Sequence, residues 1–483
     1  MSKTTLTLFL VLCIYSATIL KSNRVLVNAS PSLIKVPDDY PTIQEAINKA
    51  YSGDIIFVRN GTYKENIVIN KSIKLVGENR ENTIIDGGAK NNTISIKASS
   101  VTITGFTINN SYPKTGCGIY VERFGNVAIY NNKVVNNGIG VQTTFSSGNQ
   151  IYDNIISANY IGIQLIYSGS NNIYKNTITG NAVGMDIYFY SIGNVIHENI
   201  ISNNHRSIDI SFYSSNNIFY YNNFINNSYK VYAETSNMWS YGDGGNYWDD
   251  YGGWDLNKDG IGDTPYNISE RNIDRYPLMG RFNAFDIAFK GEKYNVAIIS
   301  NSTILNFAFE ASVKYKTRVI RFNASNINGF AGFSRIIIPK ELMGNIHAVL
   351  TNNEENNATF LNTMDIKNFH LYVEYSGNCS TEIIYFELLD IYYQLLGELN
   401  GLNSTYNVVV EKFNTLNETL QNLLKDYVNL QKELQNMNVY YQNQAQNLKG
   451  LTYIFAAMAA IFIAVTIYLS KLAHEKQSPI IKG

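Results

Sequence analysis

Ile151-Tyr152-Asp153-Asn154-Ile155-Ile156-Ser157-Ala158-Asn159-Tyr160-Ile161-Gly162-Ile163-Gln164 is answered 22 residues later by Ile173-Tyr174-Lys175-Asn176-Thr177-Ile178-Thr179-Gly180-Asn181-Ala182-Val183-Gly184-Met185-Asp186. The phrase returns along the chain. Asn132, Asn154, Asn176, Asn199 and Asn222 hold one place in it, and Asn137, Asn159, Asn181, Asn204 and Asn227 another. Ile129, Ile151, Ile173, Ile196 and Phe219 stand three residues before the first set. A period of 22 or 23 residues is too short for a helix pair and suits one turn of a β-solenoid. Its coils stack about 4.8 Å apart, with apolar residues in the bore and Asn side chains bonded into ladders at the corners. Because strand side chains alternate, Ile119, Val141, Ile163 and Met185 are expected to point inward. Tyr120, Gln142, Gln164, Asp186 and Asp209 then point out, as does a second column of Tyr130, Tyr152, Tyr174, His197 and Tyr220.

Outward from the repeat, Pro41 to Ile47 reads as a short helix with Thr42 as N-cap and Glu45 in a capping box; it would cover the open first coil. The segments Gly53-Asp54-Ile55-Ile56-Phe57-Val58, Ile73-Lys74-Leu75-Val76-Gly77 and Ile84-Ile85-Asp86-Gly87-Gly88 follow. In order and spacing they resemble the first coils of right-handed parallel β-helices of the pectin-lyase-like superfamily, in its NosD-like branch. The resemblance runs from about Ile34 to Met279. It includes the closing triplet Gly245 to Tyr251, Asp255 to Tyr266 and Asp274 to Met279, which is similar to the C-terminal cap of archaeal NosD-like proteins.

The period disappears after Phe282. Alternating segments such as Ile304 to Phe309 and Arg318 to Phe322 predict antiparallel strands, and 282–382 looks like a small β-sandwich of archaeal surface proteins. From Tyr385 to Leu448, apolar and aromatic residues alternate spacings of three and four without a slip. That is a left-handed coiled coil, roughly 95 Å long if continuous, and it implies a homo-oligomer. Leu451 to Leu469 is uncharged and long enough to span a bilayer. Lys471, Lys476 and Lys482 after it favour a cytoplasmic tail. At the other end, Lys3, the apolar run Leu6 to Leu20 and Val27-Asn28-Ala29 read as a signal peptide. The expected plan is thus signal peptide 1–29, β-helix 30–281, β-sandwich 282–382, coiled coil 383–449, transmembrane helix 450–470 and cytoplasmic tail 471–483. The fold class is mainly β, with an extracellular ectodomain on a single-pass anchor in the cell membrane. Thirteen Asn-X-Ser/Thr sequons, none beyond the span, agree with export as a glycoprotein. A net charge of −1 speaks against a nucleic-acid partner. Cys117 and Cys379 do not make a disulfide framework.

Four places carry chemistry. Asp255, Asn257, Asp259, the Ile261 carbonyl and Asp263 set oxygen donors at alternate positions around a Gly-containing turn, which resembles a D-x-N-x-D-G calcium loop; Tyr266 stands where its usual Glu would be. A structural calcium is the expectation. Asp186 and Asp209, one coil apart, are the carboxylates available if the protein is an enzyme on polysaccharide, but two acids alone are an incomplete set. Tyr130, Tyr152, Tyr174 and Tyr220 form a stripe that serves either as a sugar platform or as its own stack. His197 and His205 raise copper, which the NosD resemblance implies, but two His without a Met or Cys cluster suit a soft metal poorly. In plan the chain is similar to the membrane-anchored stalk subunit of two-component archaeal S-layers. That resemblance implies a structural or adhesive surface protein binding glycan or surface-layer protein, with no enzymatic activity required.

Overall fold

A computed structural model of the chain describes residues 31–314, 316–325, 331–355, 358–361, 365–386, 389–390, 407–443, 461, 463, 464, 466 and 467. The signal peptide, most of the membrane segment, the tail and the heptads of 391–406 lie outside the described residues. Among those described, no helix is long and apolar enough to cross a membrane.

The fold is mainly β, and its first part is a right-handed parallel β-helix. Each coil contributes one short strand to each of three parallel sheets, two of nine strands and one of eight. Sheet I runs from Leu33–Val36 to Ile218–Tyr220, sheet II from Ile67–Ile69 to Tyr229–Ala233, and sheet III from Gly61–Lys64 to Tyr247–Trp248. Register follows the repeat: Ile129 lies beside Ile151, Ile151 beside Ile173 and Gln164 beside Asp186. The predicted inward residues Ile119, Val141, Ile163 and Met185 are wholly buried in one continuous core. Gly140 and Gly162 open the stacked strands of sheet II. A Cβ on Gly162 would sit 2.4 Å from the Gly184 carbonyl oxygen, so the coils close up only with glycine there.

Both predicted Asn ladders form. Asn154 Oδ1 accepts from Asn132 N and Nδ2 at 3.0 and 3.2 Å, and the pattern continues through Asn176, Asn199 and Asn222 to Asn246. Its cause is local. The residue before each ladder Asn (Asn131, Asp153, Lys175, Glu198) is left-handed, with φ between +53 and +58, which turns the strand and takes backbone groups out of the sheet. The Asn amide then recovers the stranded carbonyl of Tyr130, Tyr152, Tyr174 or His197. A third ladder, Asn149, Asn171, Asn194, Asn217, Asn237 and Asn272, stands at another corner.

The ends of the bore are closed differently. Helix α1 (Ile43–Lys49) buries Ile43, Ala46 and Ile47. Thr42 Oγ1 caps Glu45 N, while Glu65 from the next coil takes the N–H groups of Ile43 and Gln44 at 2.9 Å. At the far end Phe219 stacks on Trp239, Phe224 on Trp248 and Trp248 on Tyr266.

Beyond the helix are two five-stranded antiparallel, sandwich-like sheets. Sheet IV (strands Arg281–Phe289, Glu292–Ser300, Ala331–Pro339, Thr359–Phe360 and Asn368–Ser376) belongs with the β-helix to one compact unit, which takes in residues up to Phe309, Phe322–Gly344 and Asn357–Cys379. Asn223 ties it to the last coils through two 2.8 Å bonds with Phe282, and Lys175 bonds Asp286. The second unit takes in Glu310–Arg321, Asn345–Asn356 and the chain from Ser380 on. Within it Arg321 joins Glu310 and Glu382. It also contains helix α2 (Asn407–Asn443), 37 residues long, whose Leu416, Leu423, Leu430 and Leu434 are exposed. Cys117 and Cys379 are buried and are not bonded to each other.

Candidate functional site

The outward face of sheet II collects the predicted polar column. Asp186 and Asp209 are register partners on adjacent strands. Gln164 Nε2 donates to Asp186 Oδ2 at 2.7 Å, and Arg206 Nη1 to Asp209 Oδ2 at 2.5 Å. Arg206 also lies 5.6 Å above the Tyr232 ring. Burial, with the neighbouring Asp209 charge adding to it and the Gln164 bond opposing it, pushes the Asp186 carboxyl up to about 6. A carboxyl in that range keeps a share of its proton near neutrality.

One edge of this face is a feature that sequence reasoning missed. Phe145, Tyr167, Tyr190 and Tyr213 are each 40% or more exposed. Their backbones are left-handed, with φ of +51, +50, +48 and +62, a conformation that costs a bulky residue about 1–2 kcal/mol. Phe145 stacks on Tyr167 at 4.7 Å, Tyr167 on Phe189 at 5.3 Å and Tyr190 on Tyr213 at 5.1 Å. Part of the signal was legible: in successive coils an aromatic residue stands five places after Gly140, Gly162, Gly184 and Ser207, and in the last two a tyrosine, Tyr190 or Tyr213, follows it. No sequon falls between residues 110 and 225, so N-glycans do not start from these coils.

The Tyr stripe on sheet I is a stack in its own right. Tyr130, Tyr152, Tyr174, His197 and Tyr220 follow one another at 4.8 to 5.1 Å with planes within 8°. The faces of the inner rings are therefore covered by each other, leaving edges and hydroxyls outward. Burial raises the Tyr152 and Tyr220 hydroxyls to about 12. His197 has both nitrogens engaged, Nδ1 with Glu198 and Nε2 with Asn172. His205 packs edge-on to Tyr229.

In the cap turn, Asp255 accepts from the N–H groups of Asp259 and Gly260, Asp259 from Ile261 N and Asn257 Nδ2, and Asp263 from Leu256 N. Burial, together with the charges of Asp259 and Asp263, raises the Asp255 carboxyl. Among the described residues no three His, Cys, Asp or Glu side chains converge as around a bound ion. The donor set is nonetheless hard oxygen throughout, and each carboxylate keeps lone pairs beyond those given to N–H groups.

Stacked coils, three parallel sheets and Asn ladders define a right-handed parallel β-helix. Residues 47–253 match the family described as periplasmic copper-binding protein (NosD), so the resemblance seen in the coil motifs holds over these residues. A cell surface glycoprotein of Methanothermus fervidus is 38% identical over 100 residues, 20% of this chain and 16% of that protein. A probable ABC transporter binding protein NosD of Stutzerimonas stutzeri is 48% identical over 46 residues, 10% of each. The chain thus spans less than a fifth of the length of these relatives. Among solved structures, an alginate lyase from Paenibacillus has 16% identity and a TM-score of 0.31, with 44% of this chain and 94% of that one covered. XylC in complex with xylose has 10% identity and a TM-score of 0.36, covering 45% and 65%.

Proposed function

We propose that this is a surface protein whose β-helix faces the extracellular side and binds glycan or surface-layer protein. The names of the matched relatives, a cell surface glycoprotein and a periplasmic family, support outward display. The observation that carries the binding reading is the ridge of Phe145, Tyr167, Tyr190 and Tyr213, exposed and held in left-handed positions. Strain of that kind persists where surrounding structure enforces it and concentrates at sites of function. A glycan lying along sheet II would meet the ridge on one side and Gln142, Gln164 and Asp186 on its floor. On the Tyr stripe it would meet ring edges and hydroxyls.

The stalk is part of the same proposal. The exposed leucines of α2 repeat at spacings of seven and four, the pattern that a second copy of the helix covers in a homo-oligomeric coiled coil. The segment 450–470 would anchor it in the membrane. The test is a glycan-array and surface-layer pull-down with the full chain. Retention without turnover, lost on changing Tyr190 and Tyr213 to Ala, supports binding; equal retention by the variant sinks the ridge.

A second reading, an enzyme acting on polysaccharide, is favoured by one observation: a carboxyl held near 6 beside an acid ion-paired to Arg206. Two carboxyl groups in such different settings are how acid and base roles are separated. Polysaccharide cleavage abolished by Asp186→Asn would establish it.

We propose calcium as a structural clamp of the 255–263 turn, held by Asp255, Asn257, Asp259, the Ile261 carbonyl and Asp263. Millimolar Ca²⁺ is expected to raise the unfolding temperature by several degrees, since a ligand at about a hundred times its Kd adds about 2.7 kcal/mol. Asp259→Asn should remove most of the shift, and an unfolding temperature indifferent to Ca²⁺ would refute the clamp.

A further inference from the structure

Two clefts adjoin where the last coils and the cap of the β-helix meet sheet IV, all within the first unit. One, of about 920 Å³, is lined by Asp243, Asp259, Arg275, Tyr276, Arg335 and Asp365 among others. The other, of about 440 Å³, is lined by Glu198, Tyr220, Lys293, Asn295 and His370, and shares Asp243 and Asp365 with the first. The wall between them is a chain of polar contacts. Arg335 Nη2 donates to Asp243 Oδ2 at 2.8 Å and approaches His370 Nδ1 at 3.4 Å, Nη1 donates to the Asp259 carbonyl at 3.2 Å, and His370 Nε2 lies 3.2 Å from Asp365 Oδ2.

The Arg335 side chain is only 2% exposed, yet among the described residues its Nε–H has no hydrogen-bond partner. Glu198 Oε2 is likewise buried and without one; its nearest cation, Lys175 Nζ, is 4.0 Å away. A buried polar group left unmatched costs about 1–3 kcal/mol, and more when charged. Here one is a donor and the other an acceptor, on residues that line adjoining clefts. Hydroxyl groups answer both, because each donates and accepts. Five carboxylates against the three cations Arg275, Lys293 and Arg335 leave two negative charges in excess around the clefts when the 255–263 turn is free of calcium, and about none when it is filled, so neither state favours an anionic ligand. The exposed Tyr276 supplies aromatic surface for the C–H face of a ring.

We propose that these clefts form a binding site for a neutral saccharide, separate from the sheet II face, with Arg335 and Glu198 as its buried hydrogen-bonding anchors. The inference deepens the glycan-binding reading and rests on it.

The test is calorimetric titration and saturation-transfer NMR on the full chain, with xylotriose, cellotriose and chitotriose as neutral probes and trigalacturonate as the anionic one. A neutral trisaccharide should bind, and Glu198→Gln and Arg335→Lys should each weaken it tenfold or more while Tyr51→Ala, at an exposed ring of the first coils, does not. Because Arg335 is buried, unfolding curves accompany its variant, and Glu198→Gln decides if Arg335→Lys misfolds. Unchanged affinity in Glu198→Gln with loss in Tyr190→Ala overturns the cleft and leaves the glycan-binding reading standing. Preference for trigalacturonate overturns the neutral class. If no trisaccharide binds, the cleft proposal falls, and the wider reading falls with it only when the glycan-array and surface-layer pull-down is also blank.

Discussion

Replacing Asn176 with alanine is expected to destabilise the β-helix by about 4–6 kcal/mol, enough to unfold a domain of ordinary stability. The Asn176 side chain makes five bonds in a place 1% exposed. Its Oδ1 accepts from Asn154 N and Nδ2, and its Nδ2 donates to the carbonyls of Ile151 and Tyr174 and to Asn199 Oδ1. Alanine removes all five and fills none of them, and the coil above and the coil below hold the backbone too closely for water to enter. Asn176→Asp is a graded control: it keeps the acceptor but loses the donors and adds a buried charge. Asn172→Ala, on the outer face of the same coil, should cost under about 1 kcal/mol. Denaturant unfolding of the three variants would separate the positions. A cost for Asn176→Ala no larger than that of Asn172→Ala would show that the ladders follow from the coil rather than hold it. Because coils contact only their neighbours, the defect should also lower hydrogen-exchange protection most strongly in the coils of Asn154 and Asn199.

How much of this was legible in the sequence depended on whether a signal was periodic. The register of Ile129, Ile151 and Ile173, the inward Ile119 and Met185, and two ladders could all be read from spacing, because stacking makes identical residues neighbours. The Asn149–Asn217 ladder was missed although it has the same period; its flanking residues vary more, and Ser146, Ser168 and Ser191 share its corner. The Tyr stripe was placed correctly, but whether its rings lie face to face or spread as a platform is a matter of rotamer. Cap and sheet IV were the least legible. Arg335, Asp243, His370 and Asp365 are up to 127 residues apart, and no local pattern announces that they meet. Sheet IV, which falls within the segment 282–382 expected as a β-sandwich, shares a compact unit with the β-helix. The tie is carried by Asn223, whose two bonds to Phe282 cross 59 residues.

The ladders also constrain where function can lie. Every ladder Asn and every inward aliphatic is committed to holding one coil to the next, so specificity is left to residues that alternate outward and to corners. That is why Asp186 and the Phe145–Tyr213 ridge can differ from coil to coil while Asn176 and Ile173 repeat. The cap is bound by a different rule, because it must end two ladders without leaving donors open.

At that end Asp274 is expected to carry the second large effect. It is fully buried, and its Oδ2 accepts from Asn246 N at 2.7 Å, Asn246 Nδ2 at 3.2 Å and Trp248 Nε1 at 2.9 Å, while Oδ1 accepts from Tyr276 N at 3.1 Å. An acceptor-only carboxylate is suited to finishing a ladder, since an amide there would present another donor to satisfy. Asp274→Ala strands those donors and should cost about 3–5 kcal/mol. The same residue makes stability depend on pH. Burial outweighs its hydrogen bonds and raises its carboxyl from 3.8 to about 6. Between those values the folded chain binds more protons at this position than the unfolded chain, so its contribution to stability falls as pH rises from about 4 to 6 and is level above. A rise of about two units corresponds to roughly 3 kcal/mol. Asp38, Asp54 and Asp286 are shifted the other way, so the effect must be read as a difference between proteins. Denaturation midpoints at pH 4, 5, 6 and 7 for the native chain and Asp274→Asn should diverge with the Asn variant lagging most at low pH. Parallel pH profiles would mean that Asp274 stays ionised throughout and that the four donors, rather than burial, set its charge state.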